Sequence, residues 1–392
     1  MSIDKQSIIG VVGAGTMGSG IAQVAAAAGH SVKIYDSNSS VLQKAADNLR
    51  STINKLTDKQ KITKEKGESI LNNIKWIDDL KKFTGCCLII EAVIENLDVK
   101  QKLFSELEKI VDDTCVLATN TSSLSITSIA TACSKQDRVI GVHFFNPAPL
   151  MPLVEIIKGL ATGLKVESDT KKLIDSWEKV TVLAKDTPGF IVNRIARPFY
   201  GESIRIYEEG IADFVTIDWA MKEIGGFKMG PFELMDLIGN DINYAVTETV
   251  WTQLFFDPRY KPSLTQKRLF EAKRFGKKSG IGYYNYAEDA VLPEPKKDRV
   301  LGEQICDRVV AMLINEAADA LYINIASKED IDLAMTKGVN YPKGLLKWCD
   351  EIGAEKILNK LNYLKEEYAE DRYRPSVLLK KMVKENTEFY SL

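Results

Sequence analysis

This sequence predicts an α/β domain on a mainly parallel sheet, followed by two tandem all-α domains, and three observations carry the prediction. Up to about residue 185, short β-branched runs alternate with helix-like stretches. Beyond Gly189 the β-branched runs stop and the pattern becomes helical. The helical remainder then repeats itself at a shift of 114 residues. A length of 392 residues agrees with several cores rather than one.

Composition removes several function classes. Hydrophobic residues make up 45% and charged residues 27%, and 52 Lys+Arg nearly balance 54 Asp+Glu. Such a chain is neither disordered nor a nucleic-acid binder held by bulk positive charge. It has no run of about 18 apolar residues, and its first residues, MSIDKQ, lack the basic and apolar regions of an export signal. Neither membrane insertion nor export is expected, which leaves the cytoplasm as the expected compartment. The six cysteines (Cys86, Cys87, Cys115, Cys133, Cys306, Cys349) form no C-x-x-C pair, so they are expected to be packing residues and no metal site is expected.

Taking the elements in order, strands are expected at residues 8–12, 32–35, 88–93, 116–118, 139–142, 153–157 and 180–184. Strands alternating with helices form a sheet covered on both faces. Between residues 41 and 73 lies a lysine-rich helical pair (Lys55, Lys59, Lys61, Lys64, Lys66), longer than a crossover needs. The helical region is expected at 193–209, 217–224 and 233–251, with breaks at Gly225-Gly226, Gly230-Pro231 and Asp257-Pro258.

The shift of 114 matches Glu202 to Glu316, Ile217-Asp218 to Ile331-Asp332, Ala220-Met221 to Ala334-Met335, Gly230 to Gly344, Asp236 to Asp350 and Ile238-Gly239 to Ile352-Gly353. After a one-residue gap, Arg259-Tyr260-Lys261-Pro262-Ser263 matches Arg372-Tyr373-Arg374-Pro375-Ser376. Shared helical composition alone would not keep these residues in order. The expected division is therefore an α/β domain at 1–185, a helical domain at 186–286, a charged, proline-containing linker at 287–299, and a degenerate second helical copy at 300–392.

Directly after the first strand comes Gly13-Ala14-Gly15-Thr16-Met17-Gly18, which opens an alanine-rich helix leading to a second strand that ends at Asp36. In this strand–turn–helix–strand context the glycine pattern reads as a Rossmann-type dinucleotide site. Gly13 allows the tight turn, Gly15 lets a pyrophosphate approach the backbone, and Gly18 lets the helix pack close to the sheet. Asp36 suits the hydroxyls of an adenosine ribose and repels a 2′-phosphate, so NAD is expected over NADP.

Asn120-Thr121-Ser122-Ser123 follows the strand at 116–118, and His143-Phe144-Phe145-Asn146-Pro147 follows the strand at 139–142. Ligands of open parallel sheets bind at the carboxyl ends of strands. Only His30 and His143 can serve histidine-based proton transfer, and His30, at a turn after Gly29, reads as a surface or capping residue. Glu155 interrupts the apolar run Leu153-Val154-Glu155-Ile156-Ile157. Buried there, it needs a partner, and His143 is the natural one, with Glu155 fixing the ring tautomer while the opposite nitrogen takes a proton. On an edge strand it would simply face solvent.

These residues carry a resemblance. The strings GAGTMGSGIAQVAAAAGH, EAVIEN, NTSSLSIT, HFFNPAPLMPLVEII, KDTPGFIVNR and GPFELMDLIG make residues 7–286 similar to the 3-hydroxyacyl-CoA dehydrogenases, and in particular to the 3-hydroxybutyryl-CoA dehydrogenases. Residues 300–385 resemble the extra copy of longer members with a duplicated helical domain. The resemblance implies that His143 and Glu155 form a catalytic pair, that Ser122 and Asn193 hold the 3-oxygen of an acyl-CoA substrate, and that Asn146 orders substrate and nicotinamide. It also implies that Glu95, Lys100 and Lys278 contact NAD and that the lysine-rich helical pair meets CoA, with Lys59 the residue chosen there. On residue type alone, Ser122 and Asn193 also read as helix caps, and Lys100 and Lys278 as solvated charges. The implied reaction is reversible oxidation of an (S)-3-hydroxyacyl-CoA to the 3-oxoacyl-CoA. The rivals are another β-hydroxyacid dehydrogenase and a non-catalytic NAD-binding protein on the same scaffold. Single-copy relatives dimerise through the helical domain, so the second copy is expected to dock on the first within one chain, leaving a monomer or a homodimer.

Overall fold

The structure is a computed structural model and describes residues 7–390. The hexapeptide MSIDKQ, read above for an export signal, and residues 391–392 of the second copy lie outside the described residues. The chain divides into two compact units, residues 1–187 and residues 188–392.

The first unit runs β1 (Ile8–Val12), α1 (Thr16–Ala27), β2 (Val32–Tyr35), α2 (Ser39–Asp58), α3 (Lys64–Asn72), β3 (Ile74–Ile77), β4 (Cys86–Glu91), α4 (Leu97–Glu108), β5 (Val116–Thr119), α5 (Ile126–Ala130), β6 (Val139–Phe144), β7 (Leu153–Lys158), α6 (Leu164–Asp175) and β8 (Val180–Lys185). The eight strands form one sheet in the order β3-β2-β1-β4-β5-β6-β7-β8. All neighbours are parallel except β6 and β7, whose antiparallel pairing sets His143 opposite Glu155. Apolar residues of the central strands, such as Val11, Ile34, Ile90 and Val142, pack with Ile21, Ala22 and Ala25 of α1 in one core. Small side chains on α1 let the helix approach the sheet, and that approach positions the glycine turn.

Three expectations are corrected here. Strand β3 was missed because Lys75 and Trp76 leave only two buried residues in IKWI, at the edge of the sheet. His143 lies inside β6 rather than after it. His30, expected as a surface or capping residue, is not at the surface: it is 1% exposed, with Nδ1 3.1 Å from the carbonyl of Ser7 and its ring against Trp177, while its backbone N–H donates to the Ala25 carbonyl at the end of α1.

The second unit contains α7 (Val192–Ile195), α8 (Arg197–Glu208), α9 (Phe214–Trp219) followed by a π turn, α10 (Pro231–Ile238), α11 (Asn240–Gln253), α12 (Leu264–Glu271), α13 (Arg299–Tyr322), α14 (Lys328–Gly338), α15 (Leu345–Ile352), α16 (Ala354–Tyr368) and α17 (Val377–Glu385). The single helix expected at 233–251 is two helices, because Gly239, at φ 106°, ends α10. Helices α9, α10 and α11 begin at 214, 231 and 240, and α14, α15 and α16 begin 114 residues later, at 328, 345 and 354. Phe255 and Ala369 share the left-handed backbone after α11 and α16, so the one-residue gap falls just beyond them.

Buried charges cross between the two halves of this unit in reciprocal pairs. Arg194 Nε donates to Glu316 at 3.0 Å, and Arg308 Nε, 114 residues on, donates to Glu202 at 2.6 Å. Tyr260 donates to Glu316 and Tyr373 to Glu202. Inside each half an aspartate receives a helix start: Asp218 accepts from the N–H groups of Phe232 and Glu233, and Asp332 from those of Leu346 and Lys347. Glycine precedes each of these helices because a Cβ at Gly230 or Gly344 would lie 2.3 Å from the aspartate carboxyl carbon. Among the described residues, no helix is long and apolar enough to cross a membrane.

Candidate active site

At the carboxyl end of β1 the chain turns through Gly13, whose φ of 99° suits glycine and whose added Cβ would lie 2.5 Å from the carbonyl oxygen of Ala92. A Cβ on Gly18 would collide with the carbonyl of Gly13, whereas one on Gly15 would meet no protein atom within 4 Å. The start of α1, Thr16 and Met17 included, has no side-chain cap, so its first N–H groups are available to an anion. Asp36, at the end of β2, accepts from the Ala14 N–H at 2.8 Å and the Asn38 N–H at 2.9 Å. Gly13, Gly15 and Asp36 border a cavity of about 570 Å³ that Tyr35, Val41, Leu80 and Leu103 also line. An anion-binding helix start, a close backbone approach at Gly15 and a carboxylate in a partly apolar cleft fit a dinucleotide.

The crossover after β4 holds the next group. Glu95 accepts from Thr121 Oγ1 at 2.5 Å, from the Ser122 and Ser123 N–H groups at 3.0 and 3.1 Å, and from Ser123 Oγ at 3.0 Å. Burial raises the Glu95 carboxyl, but the Lys100 charge and these hydrogen bonds outweigh it and leave the group below its ordinary value. Lys100 is not a solvated charge. Its side chain is 1% exposed, and its ammonium lies 2.6 Å from Glu91 and 3.3 Å from Glu95. It therefore steadies Glu95, which in turn holds the loop carrying Ser122.

His143 and Glu155 meet in the sheet. Nδ1 of His143 is 2.7 Å from Oε2 of Glu155, and the residues are 5% and 0% exposed. Glu155 does not face solvent, because β7 lies between β6 and β8. Next to His143, the N–H of Phe144 donates to Asn120 Oδ1 at 2.8 Å, tying β6 to the loop after β5. Asn146 is exposed in the following loop. Lys179 clamps that loop by donating to the carbonyls of Ala148 at 2.7 Å and Met151 at 2.8 Å, and Gly20 of α1 leaves room for Ala148 and Pro149 against the helix.

Lys59 is exposed at the end of α2, and the depression at the α2–α3 turn is lined by Thr57, Gln60, Lys61, Ile62, Thr63 and Lys64 instead. Asn193 and Lys278 belong to the second unit. Asn193 lies in α7, just after the left-handed turn at Gly189 and Phe190, and Lys278 Nζ donates to Asp241 at 2.7 Å.

Several positioning residues escaped sequence reading. Glu91, 0% exposed, accepts from Lys100, Thr119 and the Val93 N–H. It carries the signal that found Glu155, a carboxylate closing the apolar run CCLIIE. Asp186 accepts from Ser125 Oγ and from the Ile126 and Thr127 N–H groups at the start of α5. No local pattern marks that role.

A dinucleotide turn and a buried histidine–carboxylate pair in one α/β unit define a nicotinamide-dependent dehydrogenase. Residues 8–187 match the profile described as "3-hydroxyacyl-CoA dehydrogenase, NAD binding domain", and residues 189–286 and 305–388 each match "3-hydroxyacyl-CoA dehydrogenase, C-terminal domain". The chain belongs to the 3-hydroxyacyl-CoA dehydrogenase family of NAD-dependent oxidoreductases. It is 37% identical to the 3-hydroxyadipyl-CoA dehydrogenase of Escherichia coli K12 across 97% of this chain and 98% of the relative. Human mitochondrial hydroxyacyl-coenzyme A dehydrogenase is 41% identical across 70% of this chain and 90% of its own. Among solved structures, a 3-hydroxybutyryl-CoA dehydrogenase of E. coli K12 superposes with a TM-score of 0.93 at 36% identity, covering 97% of this chain and 99% of that one. The (S)-3-hydroxybutyryl-CoA dehydrogenase of Ralstonia eutropha gives a TM-score of 0.70 at 38% identity, covering 72% of this chain and 100% of that one.

Proposed function

We propose that the chain oxidises (S)-3-hydroxybutyryl-CoA reversibly to acetoacetyl-CoA, with His143 moving the proton of the 3-hydroxyl. The observation that carries this reading is the 2.7 Å contact between His143 and Glu155 inside the sheet. Glu155 fixes the ring orientation and stabilises the imidazolium that forms when the hydroxyl proton is taken. Ser122 and Asn193 hold the 3-oxygen, and Asn146 orders the substrate. Bound NAD supplies the hydride acceptor. The glycine turn, the α1 N-terminus and Asp36 would hold it, and Lys278 is assigned to it as well. Relatives named for 3-hydroxybutyryl-CoA in E. coli and R. eutropha support the short acyl chain.

We also propose that residues 287–299 link two copies of one helical domain and that the second copy takes the place of a neighbouring subunit. The support is the reciprocity of Arg194 with Glu316 and Arg308 with Glu202, since contacts exchanged between equivalent positions are the mark of a twofold interface.

The direct test is NADH-dependent reduction of acetoacetyl-CoA, followed by absorbance. His143→Gln should lower kcat by about 10²- to 10⁴-fold, the usual worth of a positioned base, with NADH affinity near wild type, and Glu155→Gln should lose less. An unchanged kcat in His143→Gln would remove the mechanism. No turnover of any 3-hydroxyacyl-CoA by wild type would leave the non-catalytic NAD-binding reading.

A further inference from the structure

The cavity beside Asp36 also has the chemistry to select the base of the dinucleotide. Gly13, Gly15 and Asp36 line it, whereas Ser122, His143 and Asn146 do not, which makes it the adenosine end of the cofactor site rather than the reacting end. Helix α4 forms one side. Val99, Lys102, Leu103 and Glu106 line the cavity at the spacing i, i+3, i+4 and i+7, one face of a helix, while Lys100, Phe104 and Leu107 of the same helix are buried. Val41 and Leu80 add apolar side chains from two further segments. Val41 and Val99 are 37% and 41% exposed, so the cavity holds apolar surface that the protein itself leaves uncovered. The face of a purine ring suits such surface.

The far end of the α4 face is charged. From Val99 to Glu106 the helix advances about 10 Å. Lys102 and Glu106 are both exposed and one turn apart, and among the described residues neither side chain makes a hydrogen bond or an ion pair. A lysine four residues before a glutamate is the weaker order for a helical pair, which leaves both groups available. Tyr35, beside Asp36, connects this end to the ribose position. Burial raises the Tyr35 hydroxyl, and the charges of Asp36, Asp79 and Glu106 raise it further, so Asp36 and Glu106 both act on one phenol. The lining thus leads from the glycine turn past Asp36 to a carboxylate with free lone pairs and an ammonium with free N–H groups. The edge of adenine is complementary to that set, because its exocyclic amine donates and the ring nitrogen next to it accepts. A purine with a carbonyl in place of the amine sets oxygen against oxygen at the carboxylate.

We propose that Glu106 is a specificity-determining residue that accepts a hydrogen bond from the exocyclic amine of the cofactor's adenine. The proposal rests on the reading that Asp36 holds the adenosine ribose. The full-length chain, without acyl-CoA, is titrated with NADH, with its hypoxanthine analogue deamino-NADH and with NADPH, and dissociation constants are read from quenching of protein fluorescence. Wild type should bind NADH about 10-fold more tightly than deamino-NADH, the worth of one partly exposed hydrogen bond to a charged group. Glu106→Ala should weaken NADH by about 10-fold, leave deamino-NADH unmoved and so bring the ratio close to one. Glu106→Gln, whose amide can turn its N–H toward a carbonyl, should bring the ratio to one or below. A residue that only supports α4 would weaken both dinucleotides together and leave the ratio as it was. Equal wild-type affinity for NADH and deamino-NADH, or a ratio unmoved in Glu106→Ala, overturns the proposal. Should Glu106→Ala not fold, the wild-type ratio and Glu106→Gln decide. Binding of NADPH as tight as that of NADH defeats the reading of Asp36 and the proposal with it, whereas exclusion of NADPH with equal binding of the other two defeats only the assignment to Glu106.

Discussion

Residues 188–286 and 299–390 fold alike but differ in which residues they keep. The equivalences that persist are those that hold helices together: Arg194 and Arg308, Glu202 and Glu316, Asp218 and Asp332, Asp236 and Asp350. Asp236 accepts from the N–H groups of Tyr283 and Tyr284, and Asp350 from those of Phe389 and Tyr390. The differences include polar positions of the first copy, at Asn193, Arg197 and Thr247, which become Asp307, Ala311 and Leu361. The turn that carries Lys278 is also shortened. Tyr260 and Tyr373 differ by 113 residues and Tyr284 and Tyr390 by 106, so the second copy lacks seven residues between them. One sequence thus displays which parts of the domain its helical frame requires and which are free to differ.

The strongest way to break the comparison is to remove the second copy. Truncation after Tyr286 takes away Glu316 and Arg308 and strands Arg194, Arg259 and Glu202 without their partners. An aggregated, self-associated or unfolded product is expected by gel filtration and thermal melting, although every assigned catalytic residue remains. A monomer as heat-stable as the full chain would refute the proposed docking.

Point substitutions sharpen it. Glu316→Ala leaves buried Arg194 without its carboxylate and should cost about 3–5 kcal/mol in urea unfolding, whereas Glu202→Ala leaves Arg308 still paired with Glu209 at 2.7 Å and should cost less. A loss at Glu202→Ala as large as that at Glu316→Ala would show that Glu209 does not support Arg308. Asn193→Asp installs the second copy's residue in the first and sets a negative charge against the 3-oxygen. It should lower kcat/KM by about 10²-fold, while Asp307→Asn, on an exposed position of α13, leaves kinetics unchanged.

The smallest effect concerns pH. Burial pushes the Asp218 carboxyl up to about 7, and burial raises Asp332 as well. A raised folded-state value means that the folded chain binds the proton more tightly than the unfolded one. The associated stability is therefore complete below the unfolded value and is lost as pH rises through about 7. The melting temperature of Asp218→Asn relative to wild type should accordingly rise by about 2–4 °C between pH 5 and pH 8. A difference that stays flat with pH would show that the proton is bound elsewhere.

Much of this was legible in the sequence for local reasons. Apolar runs marked seven of the eight strands, and the glycine turn declared itself because its strand–turn–helix context is contiguous. Glu155 stood out as a charge in an apolar run, and the same reasoning would have found Glu91. Gly239 looked like an ordinary helix residue because nothing local announces its left-handed φ. The engagement of Lys100 and the burial of His30 depend on residues far away in sequence. Burial and pairing of this kind are decided by packing rather than by spacing.

The clamp on the loop after His143 also orders events in time. His143, Asn146 and Glu155 all emerge before residue 160, but the loop between the two strands is held by Lys179, and the outer flank of β7 is closed only by β8. A chain still growing at residue 170 carries both members of the proton-transfer pair with one edge of β7 open and its loop unanchored. The pair can settle into its finished geometry only after β8, which ends at Lys185, has also left the ribosome, which makes the last strand of the first unit the step that completes it.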